Sequence, residues 1–199
     1  VWVRWSDVNN PANDWENMRR FFSSLSKTGI RGIKIDFMDS ASQERLDFYD
    51  AVAENLAKNK LMVNFHGANT PTGEERSWPH EMSREGIYGG EQNIWAAIGG
   101  QHYCALPFTR LVSGHADFTG GYFGHGPKLR GSSWTLQMAA NIIYTSPMLH
   151  WVSNPADMEA AFPKDSPERE VVRNIPSVWE ETIVLPPSAI GEYAAFARR

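Results

Sequence analysis

Asp36 is the residue whose setting speaks most directly of chemistry. It ends the run Gly32-Ile33-Lys34-Ile35-Asp36-Phe37, which reads as a strand. Side chains alternate across a strand, so Ile33, Ile35 and Phe37 share one face and Lys34 and Asp36 the other. A Lys and an Asp on one inner face are costly to bury unless they pair or act on something. A cation close to a carboxylate keeps it ionised, and an ionised Asp serves as nucleophile, base or metal ligand. A structural ion pair fits the same pattern.

Two more groups of candidates follow. His66-Gly67-Ala68-Asn69 closes the strand Leu61–His66, and a His there can bind a hydroxyl or a metal. Arg84-Glu85-Gly86-Ile87-Tyr88-Gly89-Gly90-Glu91 sets two glutamates six residues apart with three glycines between them. A straight strand would hold those carboxylates about 20 Å apart at ~3.3 Å per residue. The glycines let the chain curl and bring both to one point, where a shared calcium suits their oxygens. A solvated surface turn is the plainer alternative. His80, His102, His115, His125 and His150 form no HxH or HExxH pair, which excludes a zinc hydrolase. Gly124-His125-Gly126-Pro127 lacks the GKS or GKT ending of a phosphate loop and reads as a turn.

The elements that must position these groups alternate. Val1–Trp5 reads as a strand. Asn13 caps a helix with Glu16 in a capping box, Met18, Phe21, Phe22 and Leu25 form its apolar face, and Gly29 stops it. After the Asp36 strand, in which Asp39 reads as the cap beyond its end, a helix runs from about Ser42 to Lys58 with Leu46, Tyr49, Val52 and Leu56 on one side. In the next strand Leu61, Val63 and Phe65 face one way and Met62, Asn64 and His66 the other. A long loop spans Gly67 to Ser83, a length usually tied to function or disorder. Arg84–Glu91 is then a strand and its exit, Ser133–Tyr144 a helix, Met148–Val152 a short strand, and Ser166-Pro167-Glu168 a helix start. This βαβα order implies a parallel sheet with helices outside. A doubly wound sheet and a (β/α)8 TIM barrel both fit. Polar inner faces at the strand ends favour the barrel, with about six of its eight strands present and residues 1–199 forming a partial catalytic barrel.

Composition narrows the class. The chain has 199 residues, enough for a real core, and a net charge of -4, which argues against nucleic acid. No apolar run approaches the roughly 20 residues of a membrane span. The single Cys104 allows no internal disulfide. Eight tryptophans give a slight lift to sugar binding, since pyranose faces pack on aromatic rings, although aromatic residues also dominate cores. The start at Val1 and the end in the apolar run Tyr193–Phe196 both read as cut, and no signal peptide opens the sequence.

Lys34-Ile35-Asp36-Phe37 resembles the nucleophile strand of retaining α-galactosidase-like barrels. With His66-Gly67-Ala68-Asn69, Pro71-Thr72-Gly73, Arg84-Glu85-Gly86 running to Glu91, and Asp117-Phe118-Thr119, the sequence resembles glycoside hydrolase family 97 over most of its length. The resemblance implies a catalytic (β/α)8 barrel, flanked in the family by an N-terminal β-sandwich and a C-terminal β-domain that this sequence does not contain. It implies a periplasmic or secreted parent acting on an oligosaccharide or α-glycoside. Inverting α-glucosidases of the family carry a Glu just after the strand-end His, where this sequence has Gly67. Retaining members carry an Asp where Asp36 stands. The resemblance therefore implies a retaining α-glycosidase, an α-galactosidase first, with Asp36 as nucleophile and Glu91 as acid/base. Glu85 and Glu91 match calcium ligands, a further ligand coming from the N-terminal domain. Lys34, His66 and Asn69 are candidate substrate contacts, and Trp5 and Trp78 candidate stacking platforms. Retaining carboxylate pairs sit about 5–5.5 Å apart. An inverting α-glucosidase, a non-catalytic carbohydrate-binding module and a truncated, inactive product are the competing readings.

Overall fold

The computed structural model describes residues 1–123 and 129–199, so the turn expected at Gly124–Pro127 lies outside the described residues. The chain divides into two compact units, Val1–Gly86 and Ile87–Arg199.

The first unit is a four-stranded parallel sheet, β1 (Trp2–Arg4), β2 (Gly32–Asp36), β3 (Met62–Phe65) and β4 (Glu81–Arg84), in that spatial order. Between the strands run α1 (Trp5–Val8), α2 (Glu16–Ser26), α3 (Gln43–Lys58) and α4 (Glu74–Ser77). Ile33, Ile35, Val63 and Phe65 pack against Met18, Phe22, Phe48, Tyr49, Val52 and Leu56 of α2 and α3. This is the alternation expected of strands with one face under helices. Burial of each such side chain contributes about 1.5–3 kcal/mol, and no single residue dominates.

Several boundaries differ from the sequence reading. β2 stops at Asp36, and Phe37 does not join its apolar face. Phe37 turns left-handed (φ 63°) and is 46 % exposed, edge-on to Trp2 with ring centres 6.0 Å apart. The Asn13–Glu16 capping box does not form. Pro11 starts a 3-10 turn over Pro11–Asn13, so the helix begins only at Glu16, capped by Trp15 in a left-handed conformation. Asp39 is not a helix cap either. Ser42 holds that place, while the Asp39 amide donates to the Gly67 carbonyl at 2.7 Å and ties the turn after β2 to the turn after β3. Phe48 takes the buried place expected of Leu46, which is 37 % exposed. The expected loop from Gly67 to Ser83 contains α4 and most of β4.

The second unit contains α5 (Gly100–Ala105), α6 (Trp134–Ile143), α7 (Pro155–Ala161), α8 (Pro167–Asn174) and the antiparallel hairpin β5 (Thr182–Val184) and β6 (Phe196–Arg198). Short 3-10 turns cover Gly90–Ile94, Leu106–Phe108 and Arg110–Ser113. Ser133 and Ser166 cap α6 and α8, each accepting the backbone N–H three positions on, and the Ser166 cap is the one its sequence predicts. Met148–Val152 is not a strand. It makes one parallel bridge, Trp151 to Gly120. The core packs Tyr103, Phe118 and Tyr144 together, and buried Gln137 ties it down by accepting from the Gly121 amide and donating to the Tyr103 hydroxyl.

Candidate active site

The first unit gathers its candidate groups on one row. β2, β3 and β4 are in register at Lys34, Asn64 and Ser83, and again one step on at Ile35, Phe65 and Arg84. The ladder continues past the strand ends. The His66 amide donates to Ile35 at 2.8 Å, and the Glu85 amide donates to Phe65 at 2.9 Å. Asp36, His66 and Glu85 therefore stand side by side at the C-terminal edge of neighbouring strands, on the face opposite the helices. Adjacent strands lie about 4.8 Å apart. In parallel α/β folds this is the edge where active sites form.

A register shift in β4 makes the row possible. Val63 pairs with Glu81 but Asn64 pairs with Ser83, so Met82 is the extra residue of a bulge. A bulge changes which face the following side chains take. It sends Ser83 and Glu85 to the row's face and leaves both Glu81 and Arg84 on the helix side.

Both carboxylates of the row accept from donors. Asp36 accepts from the Trp2 indole at 2.8 Å and from the Phe37 amide at 2.6 Å, one bond to each carboxylate oxygen. His66 and Glu85 are buried, with Nε2 and Oε1 3.4 Å apart. The other Glu85 oxygen accepts from the Gly67 amide at 2.5 Å. Carboxylate oxygens such as those of Glu85 are the donor type a hard cation such as calcium takes. Lys34 sits lower on the same face, in register with Trp2 and Asn64.

The remaining predicted residues lie elsewhere. Asn69 turns to the helix side, where its side-chain oxygen accepts from Arg84 at 3.1 Å. Trp5 packs against the core, with the Arg45 guanidinium 3.1 Å over its ring and Phe48 against its edge. One indole face is therefore covered. Trp78 precedes the start of β4, at the opposite end of that strand from Glu85.

Arg84–Glu91 is not a strand. The backbone leaves β4 at Arg84 and curls at Gly86, whose φ is +43°. A Cβ there would lie 2.6 Å from the Asn69 carbonyl oxygen and 2.7 Å from Thr70, so only glycine fits. Glu91 belongs to the second unit, in the first turn of Gly90–Ile94, where Gly90 donates to the Phe118 carbonyl at 2.6 Å. The Tyr122 hydroxyl donates to the Glu91 carbonyl at 3.5 Å. Burial, and then the Glu91 charge, push the Tyr122 phenol up to about 12, so it remains a donor at neutral pH. Asp117 is buried and lies 2.7 Å from His150 Nδ1.

Sequence reasoning missed Trp2, Tyr122 and Arg84. No local pattern signalled Trp2 or Tyr122. For Arg84 the sign was an arginine inside a strand otherwise destined for burial. It is the largest fully buried side chain among the described residues. It donates to both oxygens of Glu81 at 2.7 and 3.0 Å and to Glu74 at 3.1 Å, and it stacks 4.2 Å from the Tyr49 ring centre. Burial raises the Glu81 carboxyl, with Arg84 opposing that rise. Burial also pushes the Tyr49 phenol up to about 12. Arg84 thus fastens the segment after His66, through Asn69 and Glu74, to the sheet beneath it.

Known proteins share this framework. The profile of the Glycoside hydrolase 97 family matches residues 1–87. A probable retaining alpha-galactosidase of Streptomyces bingchenggensis is 34% identical over 198 residues, covering 100% of this chain and 29% of that protein. A retaining alpha-galactosidase of Bacteroides thetaiotaomicron is 30% identical over 210 residues, covering 99% of this chain and 30% of its own length. The chain thus spans less than a third of the curated relatives it matches. Among solved structures, a Glycoside Hydrolase Family 97 enzyme from a Pseudoalteromonas species, in complex with panose, superposes with a TM-score of 0.84 at 23% identity, over 99% of this chain and 33% of that one. A beta-arabinopyranosidase superposes with a TM-score of 0.84 at 22% identity, over 100% of this chain and 34% of that one. At such identities these two likenesses speak for the fold alone. The profile match and the two α-galactosidase relatives identify the chain as a segment of a glycoside hydrolase family 97 protein.

Proposed function

We propose that this segment carries the nucleophile side of a retaining α-glycosidase, an α-galactosidase first, built on a (β/α)8 barrel of which β1–β4 are consecutive staves. The observation that carries this is the row Asp36–His66–Glu85 at the C-terminal edge of neighbouring parallel strands. The names of the two α-galactosidase relatives support the substrate class.

In this reading Asp36 attacks the anomeric carbon and the glycosidic C–O bond breaks as a covalent glycosyl ester forms. The Trp2 and Phe37 donors fix the carboxylate for that attack. Glu91 gives its proton to the leaving oxygen, then takes one from the water that releases the sugar. Lys34 and His66 bind sugar hydroxyls. Glu85 and Glu91 are the carboxylates that would hold calcium, and the ion would supply positive charge to assist the Glu91 step. The parent is periplasmic or secreted.

One structural detail favours retention over inversion. Gly67 occupies the place of the inverting base and has φ +56°, and a Cβ there would lie 2.9 Å from Asp39 Oδ1 and 3.2 Å from the Phe37 backbone. A glutamate does not fit that position without rebuilding the turn.

The test uses the full-length protein and NMR of the first product formed from an α-galactoside. An α-anomer is expected, and a β-anomer would refute the assignment of Asp36. Asp36→Gly should lower turnover by about 10³-fold or more. Added azide should then occupy the vacated nucleophile position and give the β-glycosyl azide.

A further inference from the structure

α3 turns a polar stripe away from the core: Asp47, Asp50, Glu54 and Lys58 recur at intervals of three and four residues, which stacks them on one side of a helix. That stripe forms one wall of a groove of about 660 Å³ in the first unit. Trp15 and Trp78 line the groove as well, from the start of α2 and the end of α4. None of Asp36, His66 or Glu85 lines it. The volume falls inside the range of about 300–1,000 Å³ usual for small-molecule sites.

Both indoles are held in place. Trp15 donates from its ring nitrogen to Asn9 at 2.9 Å, and Trp78 lies edge-on to His80 with ring centres 5.8 Å apart. Both remain half-buried, with surface left to offer. The charges are largely matched within the wall. Lys58 pairs with Glu54 at 2.7 Å, Arg19 with Asp14 at 2.9 Å, and Gln43 donates to Asp47 at 2.7 Å. The carboxylates run in a line along the helix, one turn apart, rather than converging on one point as a metal requires. Flat indole surface beside a line of hydrogen-bond acceptors and donors matches a pyranose, which has an apolar C–H face and a rim of hydroxyls.

We propose that this groove is a second saccharide site, separate from the strand-end row, taking a neutral oligosaccharide against Trp15 and Trp78 with its hydroxyls on Asp50 and its neighbours. Such a site would hold a long substrate or its product on the enzyme surface without cleaving it.

The test is calorimetric titration of the full-length protein carrying Asp36→Asn, with raffinose and with maltotriose as probes. Two classes of site are expected for at least one sugar. Trp78→Ala and Asp50→Ala should each weaken one class by about tenfold or more and leave the other unchanged. With Asp36 restored, Asp50→Ala should hydrolyse p-nitrophenyl α-galactoside at the parent rate. Should Trp78→Ala fail to fold, Asp47→Ala on the exposed helix face takes its place. Binding that ignores all of these substitutions overturns the proposal. So does a groove that takes trilysine and neither sugar, since that would mark it as a site for basic peptides.

Discussion

Removing Arg84 should be far more damaging than removing the whole ion cluster of which it is part. The guanidinium donates to Glu81, Asn69 and Glu74, and its side chain is 1 % exposed. Arg84→Met fills a similar volume but leaves Glu81, itself buried, with no counter-ion. Breaking one side of a buried pair costs about 3–5 kcal/mol, because the remaining charge stays desolvated. Replacing both partners with apolar residues is often close to neutral, so Glu81→Leu with Arg84→Met should recover most of that loss. A denaturant melt of a multidomain protein yields no single well-defined free energy, so the assay is native-state hydrogen exchange of the β3 and β4 amides in the full-length protein. At 1.4 kcal/mol per tenfold, the single variant should exchange about 140- to 3,700-fold faster at these amides. A change below about tenfold would show that Arg84 holds nothing down. A double variant as exchange-prone as the single one would show that stacking on Tyr49, not the charge pairing, carries the stability.

The other expectations concern the same segment and the metal. Gly86→Ala places a methyl against the Asn69 carbonyl at a positive φ, and should cost about 1–3 kcal/mol, read as faster exchange in residues 67–77. Glu74 responds to acid. Burial raises its carboxyl, but the Thr72 amide bond and the Arg84 charge outweigh this and hold it below the usual range. Its contribution is therefore present above the unfolded glutamate value and is lost as pH falls through the lower folded value. Glu81, raised by burial, works in the opposite sense, so proteolysis of residues 67–77 should be compared between the parent and Glu74→Gln. Acid loosening that is equal in both proteins would remove Glu74 as its source. Excess EGTA should lower glycosidase activity and added calcium restore it, and an unchanged rate would remove calcium from the mechanism.

Much of the first unit was legible in the sequence because its signals are local. The alternation of Ile33, Ile35, Val63 and Phe65 reports directly which side of a strand meets helices, and the extent of α3 followed from its periodicity. The motifs carrying Asp36, His66 and Glu85 were visible for the same reason. The elements that went astray depend on partners distant in the chain. β4 was hidden within an apparent loop, because its ladder is made by β3 and its bulge breaks the period of two. Phe37 read as core until the turn at the sheet edge rotated it outward. Asn69 read as a substrate contact until Arg84 drew it to the helix side.

The sequence by itself determined the chemical inventory: an Asp and a His each at the end of a strand and two glutamates in a glycine-rich stretch, in a chain whose motifs resemble one family. Only the tertiary structure decided that Asp36, His66 and Glu85 stand in one row, because strand register is fixed by pairing across the sheet and by a one-residue bulge no local pattern encodes. It also decided which residues support the row, Trp2 on Asp36 and Arg84 beneath the loop. Those contacts span 34 and 15 residues, beyond the reach of any helical or strand periodicity.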